Sequence, residues 1–174
     1  MEKTAEKEEK PEGLTRLQII LELVAAGIII AMIVYVIFWW KYLPRQIPIH
    51  FNAKGEIDQW GGKGGLVADI VIGIFVYGVV SAAGVYFKVL MPQWQNKESR
   101  KLIHCTRTFL AIVKIQSMMM IFMILIFTVR MKEAPIIYPA GLIVLISVSI
   151  IVYLMKLNYE TRKISSSQNE EGQK

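Results

Sequence analysis

The sequence predicts an all-α polytopic membrane protein, with four transmembrane helices and a short extracytoplasmic β-hairpin-like loop between the first two. Two observations lead to this prediction. Hydrophobic residues make up 54% of the 174 residues, and the mean hydropathy is +0.43, which is more apolar surface than a soluble domain of this length usually buries. These residues also form four continuous blocks without the polar stripe of a soluble amphipathic helix.

The four blocks define the predicted spans, which are 17–40, 66–87, 108–129 and 136–155. Each is long enough, because a helix needs about 20 residues to cross the hydrocarbon core. The first block is too long for a signal peptide, and the residues before it are mixed in charge, so we expect it to be retained. We expect a disordered cytoplasmic tail at 1–16 and a polar cytoplasmic tail at 156–174, with disorder from Ser165 onwards.

Basic residues predict the orientation of the spans. Twelve lysines and arginines lie in the two tails and the second loop, against six in the first and third loops. Positive charge is retained on the cytoplasmic side. We therefore expect both termini to be cytoplasmic and the first loop (41–65) to lie outside. The net charge of +6 suits anionic lipid headgroups, so the lipid bilayer is the expected partner and nucleic acid is not required.

The first loop contains a hairpin signal, "IPIHFNAKGEIDQW". Asn favours the first position of a type I turn, and Gly suits a left-handed residue. The pattern predicts a three-residue turn, 53–55, with Gly55 in the left-handed conformation. Counting back from the turn predicts five strand pairs: Asn52–Glu56, Phe51–Ile57, His50–Asp58, Ile49–Gln59 and Pro48–Trp60.

Alternation along the strands predicts two faces for this hairpin. Ile49, Phe51 and Ile57 would form an apolar face against the helix bundle. His50 and Asp58 would meet on the other face. The glycine-rich stretch 61–65, which contains Lys63, would be a flexible return into the second span.

Two interpretations of His50 and Asp58 remain open. In the first, the pair only holds the hairpin together. In the second, it binds a ligand or a peptide. One histidine and one carboxylate are too few for a convincing metal site, and we expect neither a metal nor another cofactor.

The same stretch resembles the signature of the SdpI-like membrane proteins, whose N-terminal region is a domain of unknown function. The family pattern is Leu-Pro, then Ile-Pro-x-His-Phe, then Gly, Asp and a glycine-rich stretch ending in Lys. Leu43 and Ile47 match this pattern, together with most of the candidate site. The candidate site consists of Pro44, Pro48, His50, Phe51, Gly55, Asp58, Trp60 and Lys63, of which all but Trp60 belong to the pattern. The resemblance implies a bacterial or archaeal inner-membrane protein, and one branch of the family gives immunity to a secreted peptide toxin.

Three ionisable residues inside the spans form a secondary set. Glu22 and Lys114 both lie about 8–9 Å from the cytoplasmic ends of their spans, which predicts an interhelical ion pair. The alternative is that Lys114 extends to the interface while Glu22 lies among the headgroups. Asp69, near the outer end of the second span, would cap that helix or contact Lys63 or His50.

Three function classes follow from these features. The first is a protein for immunity or for sensing an envelope ligand, and the resemblance favours it. The second is a small transporter or transporter subunit, which would have to work as an oligomer because the mid-span residues are almost all apolar. Small residues four apart, Gly27 with Ala31 and Gly78 with Ala82, would allow close helix packing within the chain or between protomers. The third class, an enzyme, is not expected because no catalytic motif is present.

Overall fold

The computed structural model of the chain describes residues 14–90, 97–133, 135 and 137–171. This part of the chain forms four helices and one two-stranded antiparallel sheet. In chain order, the elements are α1 (Arg16–Trp39), β1 (Gln46–Phe51), β2 (Ile57–Gly62), α2 (Gly64–Leu90), α3 (Lys97–Arg130) and α4 (Ile137–Glu171). Each helix is long and apolar enough to cross a membrane, so the predicted fold class is confirmed.

Helix α1 begins at Arg16 because Thr15 caps it. The Thr15 hydroxyl accepts a hydrogen bond from the Gln18 amide at 3.2 Å, and the Gln18 side-chain oxygen accepts one from the Thr15 amide at 3.1 Å. This reciprocal pair is a capping box, which satisfies two backbone donors that the helix leaves free. Of the predicted disordered tail, residues 1–13 lie outside the described residues.

Helix α3 is central to the bundle, and it packs against α1, α2 and α4. The core contains buried side chains from three helices, from β1 and from the connection between α1 and β1: Met32, Val36, Leu43, Ile47, Leu66, Met118, Ile121, Leu125 and Val129. The hairpin is therefore part of the same packed unit as the helices.

Helices α3 and α4 are longer than the predicted spans, with 34 and 35 residues. The disorder expected from Ser165 is wrong as far as Glu171, because α4 continues to that residue. No glycine or proline interrupts the chain between residues 155 and 171, and the Arg162 Nε donates to the Asn158 side-chain oxygen at 3.1 Å. Residues four apart on a helix support it in this way, so α4 continues beyond its apolar segment.

The glycines expected to allow close helix packing have open space beside them. A Cβ atom built on Gly27 or Gly78 would meet no other atom of the described chain within 4 Å. Close approach of helices within one chain therefore does not occur at these positions.

Candidate functional site

The turn between β1 and β2 has the predicted three-residue form. Gly55 has φ 82°, and its amide donates to the Asn52 carbonyl at 2.9 Å. The Asn52 side chain also accepts hydrogen bonds from the Lys54 and Glu56 amides, at 2.9 and 3.1 Å, and donates to the Glu56 carboxylate at 2.8 Å. Asn52 therefore holds the turn through its side chain, a role that the sequence analysis did not assign to it.

The predicted register of the hairpin is correct at its ends and wrong in its middle. Phe51 pairs with Ile57, and Pro48 with Trp60, as predicted. The Cα partner of His50 is Gln59 rather than Asp58, because the ladder shifts on both sides of His50. Asp58 on β2 and Ile49 on β1 are the extra residues, as in a β-bulge.

His50 and Asp58 nevertheless make the predicted contact, with the imidazole Nδ1 at 2.6 Å from Asp58 Oδ1. Both side chains are solvent-accessible, with 57% of His50 and 40% of Asp58 exposed. The other ring nitrogen, Nε2, has no hydrogen-bond partner in the described part of the chain. This nitrogen is therefore free to contact a partner from solution.

The predicted packing of Ile49, Phe51 and Ile57 against the bundle is only partial, and Ile49 reaches the first turn of α2 at Gly65. Ile49 is 45% exposed, and the other two are only partly buried. The buried residues of β1 are Ile47, with no exposed surface, and Pro48, which follows it. The most buried side chains of the hairpin thus lie at its base, next to buried Leu43.

The glycine-rich stretch belongs to regular elements and is not the predicted flexible return. Gly61 lies in β2, and Gly65 lies in α2. A Cβ atom on Gly61 would be 2.7 Å from Ile49 Cδ1, and one on Gly65 would be 2.9 Å from Ile49 Cγ2. Both glycines are therefore required for the close packing of Ile49 over the end of β2 and the start of α2.

Lys63 joins the hairpin to the end of α1. Its Nζ donates to the Trp40 carbonyl at 2.8 Å and lies 5.6 Å from the centre of the Trp40 ring. A helix leaves its last carbonyls without partners, and a cation is favourable there. The two remaining candidates, Pro44 and Trp60, are exposed, with 53% of Trp60 accessible.

Asp69 does not cap α2, because the first turn of that helix contains no acidic residue. Its side chain is half-buried in the following turn. It forms no hydrogen bond or ion pair with Lys63, His50 or any other residue that the structure describes. The expected contact with the hairpin is therefore absent from the described residues.

The predicted Glu22–Lys114 ion pair is present. Lys114 Nζ donates to both Glu22 oxygens, at 2.6 and 2.8 Å, and to the Ser81 hydroxyl at 2.8 Å. The Tyr77 hydroxyl donates a hydrogen bond to the Glu22 carboxylate at 3.2 Å. Only 2% of the Lys114 side chain is exposed, so it does not extend to the interface. Tyr77 and Ser81 were not predicted from the sequence, although polar residues four apart on a span mark one helix face.

The four apolar helices and the hairpin between α1 and α2 define a multi-pass membrane protein. Residues 27–74 match a protein-family model described as "Domain of unknown function (DUF1648)". This match includes His50, Asp58 and Lys63, and it excludes both members of the Glu22–Lys114 pair. No curated protein and no solved structure matches the chain.

Proposed function

We propose that this chain is a non-enzymatic, SdpI-like protein of a bacterial or archaeal inner membrane. In this proposal the hairpin binds a secreted antimicrobial peptide or another envelope ligand, and the protein gives immunity or senses that ligand. The family model that matches residues 27–74 is found in SdpI-like membrane proteins, and the match covers the whole hairpin. Both termini are then cytoplasmic, as the distribution of basic residues favours.

The exposed His50–Asp58 contact is the observation that carries this proposal. An exposed ion pair adds only about 0–1 kcal/mol to stability, so holding the hairpin together is a weak reason for this contact. The hairpin is already fixed by buried Ile47 and by the Lys63–Trp40 bond. A recognition surface on a fixed support loses less conformational entropy when it binds.

The sheet also offers a way to bind an extended peptide. It has two strands in the described part of the chain, so each strand has an outer edge without a neighbouring strand. Such edges accept an added strand through main-chain hydrogen bonds, and side chains on the ribbon give specificity. His50, Asp58 and Trp60 are exposed on this ribbon and are the residues proposed to select the peptide.

Protection of susceptible bacteria tests the proposal. Cells that express the protein are exposed to a panel of secreted antimicrobial peptides, beside cells that lack it. We expect His50→Ala and Asp58→Ala to abolish protection without lowering the amount of protein in the membrane. Lys54→Ala, in the turn of the same hairpin, is the matched control. This variant should protect cells as well as the unchanged protein does. Loss of abundance together with protection would support the purely structural role, and protection by both alanine variants would contradict the proposal.

A second candidate function is a small transporter or transporter subunit that works as an oligomer. The Glu22–Lys114 pair favours it, because ionisable residues inside spans often mark transport paths. Uptake into proteoliposomes is the test. Solute uptake that is lost in Glu22→Gln would support transport, and liposomes without uptake over the same panel would contradict it.

A further inference from the structure

A cleft of about 420 Å³ lies between α1, α2 and α3, at the end of the bundle opposite the hairpin. Its lining begins at Leu14, just before α1, and includes the Glu22–Lys114 pair deeper in the bundle. The remaining wall is mostly apolar and includes Val80, Val85, Leu110 and Ala111. The cleft thus combines an apolar wall with charged groups, at the depth of one membrane leaflet.

The polar groups in the deep part of the cleft form hydrogen bonds and an ion pair with one another. Lys114 uses all three of its N–H donors on Glu22 and Ser81. The side-chain amide of Gln18 donates to the His104 carbonyl and the Thr108 hydroxyl, both at 3.2 Å. Because Glu22 also neutralises Lys114, this part of the cleft offers no unpaired charge to a ligand.

Arg107 is the charged cleft residue that no carboxylate neutralises among the described residues. Its Nε donates to the Gly84 carbonyl at 3.3 Å. The guanidinium has five N–H donors, and the other four have no partner in the described ranges. Two of these donors in the plane of a guanidinium match two oxygens of a phosphate. Arg107 therefore gives the cleft one available positive charge with phosphate-binding geometry.

The position of Arg107 along the bundle indicates where this phosphate would come from. The next residue, Thr108, accepts the hydrogen bond from Gln18, which lies in the first turn of α1. The first turn of a span is close to the headgroup layer. Arg107 is thus level with the phosphates of one leaflet, while the apolar wall continues into the hydrocarbon layer.

We propose that this cleft binds an anionic phospholipid of that leaflet. The lipid phosphate binds the Arg107 guanidinium, and one acyl chain packs along Val80, Leu110 and Ala111. Basic pockets between helices bind anionic headgroups in this way. The site lies outside the hairpin, so it is independent of peptide recognition.

Lipid retention by the full-length protein tests this site. The protein is placed in phosphatidylcholine nanodiscs with a small fraction of phosphatidylglycerol, and the retained lipids are counted by native mass spectrometry. Arg107→Gln removes the charge and keeps a donor that can reach the Gly84 carbonyl. We expect it to lower phosphatidylglycerol retention about tenfold, the effect of losing one charge-assisted contact. Arg162→Gln is the matched control, because Arg162 is an exposed arginine of α4, and it should retain the lipid.

Further arms separate the possible outcomes. Val80→Phe keeps Arg107 but fills the cleft, and it should also lower retention, which tests the site even where Arg107→Gln folds poorly. Equal retention by Arg107→Gln and Arg162→Gln would overturn the proposal. Phosphatidylcholine held as tightly as phosphatidylglycerol would do the same. Displacement of the lipid by inorganic phosphate alone would identify a soluble phosphate site instead of a lipid site.

Discussion

Two acid–base side-chain pairs among the described residues have the same closest distance, 2.6 Å, in different surroundings. The Glu22–Lys114 pair lies within the helix bundle, where 2% of the lysine side chain and 33% of the glutamate side chain are exposed. The His50–Asp58 pair lies on the hairpin, with 57% and 40% of its side chains exposed. The distance within a pair therefore does not determine how much it contributes to stability. Its exposure to water does.

Exposure to water determines how much stability is lost when one member of a pair is removed. A buried charge left alone has no water to replace its partner, so breaking one side of a buried pair is strongly destabilising. An exposed charge left alone is hydrated, so breaking that pair costs little. The comparison predicts a large contribution to stability from the intramembrane pair and a small one from the hairpin pair, which leaves the hairpin pair available for recognition.

Breaking the buried pair should give the largest effect. Glu22→Ala leaves the Lys114 ammonium without its carboxylate, and we expect the free energy of unfolding to fall by about 3–5 kcal/mol. Thermal unfolding of the purified protein in detergent measures the loss, together with the amount of folded protein in the membrane.

The double variant Glu22→Ala/Lys114→Met is the control for that prediction. It removes both charges and keeps an apolar side chain in the space of the lysine. Most of the lost stability should return, because replacing both members of a buried pair with apolar groups is often close to neutral. A stable single variant would show that Lys114 finds water or another partner, and the contrast between the two pairs would fail.

Removing the buried Ile47 side chain at the base of the hairpin should give the next largest loss of stability. Ile47 has no exposed surface and belongs to the helix core, so Ile47→Ala should cost about 3 kcal/mol in thermal unfolding experiments. Ile49→Ala is the matched control on the same strand, where the side chain is 45% exposed and the expected loss is about 1 kcal/mol. Equal losses would mean that the hairpin packs through its middle, as alternation predicted.

The spans were predictable from sequence because lipid imposes a length and excludes polar side chains. The ends of α3 and α4 were not, because beyond the bilayer a helix continues or stops according to local bonds. In α4 the Arg162–Asn158 bond and the absence of glycine continue the helix through a polar segment. Hydropathy does not predict where a helix ends outside the bilayer.

The candidate site was predictable in part, for a related reason. Gly55 has a left-handed conformation that few other residues adopt, so the sequence predicts its position in the turn. The shifts on both sides of His50 could not be predicted, because alternation of side chains along a strand assumes a regular ladder. Depth along the spans predicted the Glu22–Lys114 pair, but the rotation of α2 that adds Tyr77 was not available from hydropathy.

Changing the turn should have a smaller effect than either buried substitution. Gly55 has φ 82°, and a side chain in the left-handed region costs about 1–2 kcal/mol. Gly55→Ala should therefore lower stability by about 1 kcal/mol, measured by thermal unfolding. Gly55→Asn is the control and should cost less, because Asn tolerates this conformation. Equal stability of Gly55→Ala and the unchanged protein would show that the turn rearranges without cost.

The coupling within the exposed pair should be the smallest effect. A double-mutant cycle with His50→Ala and Asp58→Asn isolates the interaction between these side chains, and thermal unfolding should give less than about 1 kcal/mol. That coupling should also weaken as salt is added, because charges in water are screened over about 10 Å at 0.1 M ionic strength. The Glu22–Lys114 coupling should be several times larger and nearly independent of salt, because its lysine is shielded from solvent. A large, salt-independent coupling between His50 and Asp58 would assign that pair a structural role and remove the main support for recognition by the hairpin.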